Sequence, residues 1–332
     1  MASGEAGIQA QLNGLAIEHR QDTTAQLPQL QRIVLCTDFS LASETATAIA
    51  IDLCKRTGAT LCVLHICEYG IYQAPTESEL AYVTRGLERE NENLRNVVNR
   101  IQNEGISVSA SIATGHPPVS IVEFIASRKP DLAIVGTNGI SGLERMIFGS
   151  TAEAVFRHAC CPVLIVGPKV SSDRQNSRGP VVFATDFHDP AKQAAKYAFA
   201  LAHLRSSPLH CLHVLPMSVA NEGEHAILAS IMKEALRQLT EKAQGCHAKV
   251  SYQVMYDTEI SHAVVSYAEK HRAGLIVLGV RRGPILCSHL PPHLTYRMIA
   301  TAPCPVLTVS PEVARLASQE PDAATKTEGK TN

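Results

Sequence analysis

Net charge is nearly absent from this sequence: 30 Lys and Arg stand against 31 Asp and Glu, a formal charge of -1. That balance offers no global attraction for nucleic acid or an anionic membrane, so either would need a local patch. Long apolar runs are missing as well. None approaches the ~20 residues of a membrane span, and the opening stretch MASGEAGIQAQLNGLAIEHRQD has neither the basic start nor the apolar core of a signal peptide. A cytoplasmic protein is expected. C-x-x-C spacing is absent too: the ten cysteines lie mostly inside apolar runs such as IVLCT and CPVLIV, as buried free thiols do in a reducing compartment. There is no G-x-x-x-x-G-K-[ST] loop either, since Gly329-Lys330-Thr331 has Ala324 where the first glycine belongs.

What the chain does have is a copy of itself. RIVLCTDFS (Arg32 to Ser40) returns as PVVFATDFH (Pro180 to His188), and LCVLHI (Leu61 to Ile66) returns as LHCLHV (Leu209 to Val214), each 148 positions on. ACCPVLIV (Ala159 to Val166) returns as APCPVLTV (Ala302 to Val309), 143 positions on, so the second copy has lost a few residues and kept its order. With 332 residues, 45% of them hydrophobic, the chain has room for two domains of average size. We expect domains at 31–170 and 180–311, a polar linker at 171–179, and mobile tails at 1–30 and 312–332, which lack periodicity.

Within the first copy, strand candidates at 33–37, 60–66, 108–113, 132–136 and 163–166 alternate with helical patterns. Leu41 to Arg56 reads as a helix capped by Ser40 and stopped by Gly58. Leu80, Val83, Leu87, Leu94, Val97, Val98 and Ile101 fall on one helical face. Apolar strands separated by helices imply an α/β fold, a parallel sheet covered on both sides. In the second copy Asp189 and Pro190 take the N-cap and first helical positions. The expected architecture is two tandem doubly wound five-stranded parallel-sheet domains. In such sheets ligands sit beyond the carboxyl ends of the strands, where strand order reverses.

Two stretches occupy strand ends of that kind. Thr37-Asp38-Phe39-Ser40 follows the first strand. The Asp38 carboxylate could accept hydrogen bonds from an adenine amino group or a ribose hydroxyl, or it could help to cap the next helix. VGTNGISGLERMIFGST (Val135 to Thr151) follows the fourth strand. Its glycines allow loop amides to converge on an anion, and the helix opening at Gly149-Ser150-Thr151 adds free amides and a dipole. The alternative for this stretch is a well-capped helix, because Ser150 and Glu153 fit an S-x-x-E capping box.

Gly136-x2-Gly139-x9-Gly149-Ser150 resembles the G-2x-G-9x-G-(S/T) signature of ATP-binding universal stress proteins. TDFS, LHI, TGHPPVSIVEFIA and CPVLIV also follow that family's order, over about Arg32 to Val309 in two copies. The resemblance implies a Rossmann-like, adenine nucleotide alpha hydrolase-like fold and a site for ATP, alone or as its Mg2+ complex. By the same resemblance Thr37 and Asp38 would hold the adenosine and Ile66 would touch the base. Gly136 and Gly139 would lie along the ribose and phosphates, while Gly149, Ser150 and Thr151 would take the phosphates. Family members commonly pair through the last strand, so CPVLIV and CPVLTV would let the two halves form a pseudo-dimer, with a homodimer open.

The second copy departs from the signature. Aligned on the Cys-Pro pairs, Gly279 falls under Gly136, but Arg282 under Gly139, Pro292 under Gly149 and His293 under Ser150. Pro292 removes an amide donor, so weak or no ATP binding is expected there. The glycine loop carries only Glu144 and Arg145 besides its amides, with no lysine and no evident base. Binding without turnover is therefore expected, with slow ATP hydrolysis at most. No metal site is expected: His65 and His213 end equivalent strands as hydrogen-bonded structural residues, and His210 and His213 point to opposite faces. The functional expectation is a nucleotide-responsive stress regulator or protective protein; the alternative is an ATP-independent interaction module with relic clefts.

Overall fold

The computed structural model describes residues 28–68, 76–137, 149–171, 179–217, 222–241, 248–280 and 292–310. The first half runs β1 (Arg32–Cys36), α1 (Leu41–Thr57), β2 (Thr60–Cys67), α2 (Glu77–Asn103), β3 (Val108–Thr114), α3 (Pro117–Arg128), β4 (Leu132–Gly136), α4 (Ser150–His158) and β5 (Val163–Val166). The second repeats it as β6 (Val181–Ala184), α5 (Pro190–Leu204), β7 (Leu209–Pro216), α6 (Glu222–Glu241), β8 (Val250–Asp257), α7 (Ile260–Lys270), β9 (Leu275–Gly279), α8 (Pro292–Thr301) and β10 (Val306–Val309). The expected tails, most of the linker and the loop that carries Gly139 lie outside the described residues.

The strands form one ten-stranded sheet in the order β3-β2-β1-β4-β5-β10-β9-β6-β7-β8. Pairing is parallel within each half, and β5 meets β10 antiparallel, with Leu164 opposite Leu307. The two sheets expected from the repeat are thus halves of a single one. Both junction strands are four residues long and wholly buried, and joining them leaves neither as an open edge. Two apolar layers cover the sheet, and side chains alternate between them along each strand. Leu61 and Val63 of β2 face the layer of α1, α2 and α5, whereas Leu64 and Ile66 face that of α3, α4, α7 and α8. Both layers run through the junction: Leu164 and Leu307 lie in one, Ile165 and Val306 in the other.

Local signals place most helix ends. The Ser40 side chain accepts from the Ser43 amide to start α1, and Gly58, at φ 70, stops it in the left-handed region. Two expectations are corrected, and a third holds in position only. Asp189 holds the N-cap position of α5, but it is itself helical and makes no capping bond; the turn already begins at the His188 carbonyl, which accepts from the Ala191 amide. Ser150 is the first helical residue of α4, with Gly149 at the N-cap and no side chain capping it. The capping box is therefore not formed. On α2, of the residues forming the expected face, Leu94, Val97 and Ile101 are buried, while Leu80 is 57% exposed. The 27-residue helix is about 40 Å long, against about 26 Å for eight-residue β2. Its first turns therefore overhang the carboxyl ends of the strands.

Candidate functional site

Strand order reverses between β1 and β4, and the crevice opens there. A cavity of about 390 Å³ is lined by Cys36, Thr37, Asp38, Ser43, Ile66 and Glu68, and further by Glu90, Pro117, Ile121, Val135, Gly136 and Gly149 to Ala152. That volume falls in the range of small-molecule sites. Seven of the eight residues singled out from sequence meet in it, namely Thr37, Asp38, Ile66, Gly136, Gly149, Ser150 and Thr151; Gly139 is outside the described residues.

The β1–α1 turn is held from within. The Thr37 hydroxyl donates to Ser43 Oγ at 3.1 Å and accepts from the Phe39 amide at 3.1 Å. The Thr37 carbonyl accepts from His65 Nδ1 at 2.8 Å. Asp38 Oδ1 accepts from the Ser40 amide at 3.0 Å and from the Ser40 hydroxyl, so the carboxylate steadies the helix start while it lines the cavity. Phe39 sits at φ 58, a left-handed conformation that costs a non-glycine residue free energy and clusters at functional sites. Its ring packs on His65 with centroids 4.4 Å apart.

The two described glycines have different reasons for being glycine. A Cβ on Gly136 would lie 2.8 Å from the Ala42 carbonyl carbon and oxygen, so Gly136 lets α1 pack against β4. Gly279 meets Pro190 and Ala191 in the same way in the second half, which explains its presence there without a ligand. Gly149 is unlike both. Its φ of -60 and ψ of 140 suit any residue, and a Cβ would meet nothing within 4 Å among the described atoms. Among the described residues neither backbone nor packing asks for a glycine, and Gly149 lines the cavity.

Charge on the described lining is all of one sign. Asp38, Glu68 and Glu90 are present with no Lys or Arg. The Cys36 thiol stays neutral, pushed up to about 12 chiefly by burial and secondarily by Cys62. An anion in this cavity would depend on the amides and dipole at the start of α4 and on a cation brought with it. The carboxylates Glu68 and Glu90 were not foreseen: Glu90 stands midway along α2, more than twenty residues from the strand it faces, and no local spacing marks it.

A model of the "Universal stress protein family" matches residues 29–167 and again 178–310. This chain belongs to the universal stress protein family. A universal stress protein of Methanocaldococcus jannaschii is 33% identical over 138 residues, 41% of this chain and 81% of its own. Universal stress protein YxiE of Bacillus subtilis is 28% identical over 144 residues, 41% of this chain and 97% of its own. A crystal structure of a universal stress protein from Archaeoglobus fulgidus, 22% identical, covers 84% of this chain and 98% of its own with a TM-score of 0.65. That match extends the likeness of fold over both halves.

In this tandem universal stress protein the second copy of the strand-end turn keeps its geometry and changes the partner of its carboxylate. Phe187 repeats the left-handed φ at 66, and His213 Nδ1 repeats the bond to a carbonyl, Thr185, at 2.8 Å. Asp186, however, is engaged by His188, accepting from its amide at 3.1 Å and lying 3.0 Å from its Nδ1. The halves also meet beside the cavity. Tyr296 of α8 donates to Glu153 of α4 at 3.0 Å and accepts from Arg157 at 2.8 Å, which couples the cavity-lining helix to the other half. Among the described residues no helix is long and apolar enough to cross a membrane.

Proposed function

We propose that the first half of this universal stress protein binds an adenine nucleotide, ATP, in the crevice between β1 and β4. The observation that carries this is Gly149, a glycine demanded among the described residues by neither conformation nor packing, at a helix start without a side-chain cap that lines the cavity. A phosphate there would receive the amides of Gly149, Ser150 and Thr151. Asp38 and Ile66 would frame the nucleoside, and Thr37, whose hydroxyl is committed inside the turn, would act by holding the turn in place. Three lining carboxylates favour entry as the Mg2+ complex, because an uncompensated polyphosphate would be repelled.

On this reading the second half, with Pro292 and His293 in the signature positions and Asp186 tied to His188, serves as the structural partner of the first. The chain then works as a nucleotide-responsive stress regulator or protective protein in the cytoplasm rather than as a fast enzyme. The test is the nucleotide content of the protein as isolated, together with a melt in Mg2+ and ATP. Ligand at 100 times its Kd stabilises by about 2.7 kcal/mol, so a rise of about 5 °C is expected. No co-purified nucleotide and no thermal shift would leave the ATP-independent interaction module as the reading.

A further inference from the structure

On the α2-facing side of β2, at the wall of the cavity, three metal-ligating side chains converge. His65 and Cys67 are two apart on the strand and so project from one face. Glu90 comes from the middle of α2. Nitrogen, sulfur and carboxylate oxygen all lie within 4.8 Å of one another, and Cys67 and His65 are 0% and 6% exposed.

The tautomer of His65 is set by its surroundings. Nδ1 lies 2.8 Å from the Thr37 carbonyl, which can only accept, so Nδ1 carries a proton and Nε2 is the nitrogen left to face inward. That atom is buried without a hydrogen-bond partner, as is Glu90 Oε2, and the two are 3.5 Å apart. Two buried acceptors facing each other need a positive charge between them. A histidine that donates its other nitrogen to a backbone carbonyl is the usual support for a metal ligand. The 3.5 Å separation is also close to the N···O edge of a tetrahedron with bonds of ~2.1 Å, about 3.4 Å.

The repeat supplies a comparison within the chain. His213 keeps the same carbonyl bond and the same Phe contact, but Leu215 stands where Cys67 stands. The histidine's hydrogen bond therefore belongs to the fold, and the thiol is particular to the first half.

We propose that His65, Cys67 and Glu90 bind a borderline-soft divalent cation of the zinc class. Thiolate, imidazole and carboxylate together select such an ion over Mg2+ or Ca2+. On binding, the Cys67 thiol gives its proton to solvent and a sulfur lone pair forms the bond to the metal; nothing is oxidised or reduced. Without metal the thiol keeps its proton, pushed up to about 12 by burial first and by the neighbouring Glu90 carboxylate second. Three protein ligands leave one position for water, and because Glu90 also lines the cavity the ion would form part of its wall.

The full chain, reduced, stripped with chelator and free of nucleotide, is titrated with Co2+ and then Zn2+. One equivalent of Co2+ with a sulfur-to-cobalt charge-transfer band, abolished by Zn2+, is expected. Cys67→Ser loses the band, Cys62→Ser keeps it, and Glu90→Gln weakens binding at least tenfold. As a check that does not depend on Cys67→Ser folding, Zn2+ should raise the melting temperature of the wild type more than that of Glu90→Gln. Absence of stoichiometric binding in the folded wild type, or a band that survives Cys67→Ser, would overturn the proposal and leave a protonated His65 paired with Glu90. Because no nucleotide is present, either result is independent of the ATP reading.

Discussion

Replacing Gly149 with Asp separates stability from ligand binding. The backbone there, φ -60 and ψ 140, is open to any residue, and a Cβ meets no described atom within 4 Å, so the fold should accept the side chain. Asp is a better N-cap than Gly, and a carboxylate at a helix start gains about 0.3–1 kcal/mol. The melting temperature of the free protein should hold or rise by a degree or two. The same carboxylate would occupy the amides that a phosphate needs, each charge-assisted bond being worth about 1.5–3 kcal/mol. It would also repel the phosphate: at ~5 Å the Coulomb energy is about 3 kcal/mol for an effective dielectric of 20 and less than 1 in bulk water. A loss of about 3 kcal/mol corresponds to roughly 100-fold in Kd. Calorimetric titration with Mg2+ and ATP measures it beside a melt without ligand. A folded Gly149→Asp protein with affinity within threefold of wild type would refute the assignment of this helix start to phosphate.

Further outcomes follow from the same geometry. Gly136→Ala places a Cβ 2.8 Å from the Ala42 carbonyl and should lower stability in urea by about 1–3 kcal/mol, while Gly149→Ala changes it by less than about 1 kcal/mol. Gly167→Ala brings a Cβ to 2.2 Å from the Ile299 carbonyl oxygen, across the junction of the halves; differential scanning calorimetry should show a lower melting temperature or two separate transitions in place of one. Equilibrium dialysis should return one ATP per chain, and a second equivalent of similar affinity would contradict the role given to the second half. Burial pushes the Cys36 and Cys211 thiols up to about 12 from an ordinary 9.0, so the folded state keeps protons that the unfolded state releases. Their contribution is intact below about pH 9 and falls as pH climbs toward 12, by about 1.4 kcal/mol per pH unit for each thiol. Urea unfolding at pH 8 and 10 checks the slope, which Cys36→Ala should reduce.

The alternation of apolar runs and helical faces made the fold readable, and the repeat made it doubly so. What failed was local chemistry overridden by context. Ser150 and Glu153 satisfy a capping box on paper, yet Glu153 is drawn to Arg157 and Tyr296 and the helix starts one residue earlier, at Ser150. Leu80 fits a helical face, yet α2 outruns the sheet that would cover it. The strand-end residues of the site were legible because the fold class says where ligands sit. Glu90 was not, because only the packing of α2 over β2 brings it to His65 and Cys67, and nothing in the spacing of the three anticipates it. His65 itself was read as structural, which its bond to Thr37 bears out; the orphaned nitrogen on its other side is a property of three dimensions.

The antiparallel union of β5 and β10 makes this chain its own partner. Two separate five-stranded units would find each other only as often as their abundance allows. Here the nine residues 171–179 tether them, and a short tether holds its ends at an effective concentration on the order of millimolar. The union therefore survives dilution to any level at which the chain itself is present. A half that is always supplied with its mate need not be identical to it, and the two copies differ at Gly139 and Arg282, Gly149 and Pro292, and Ser150 and His293.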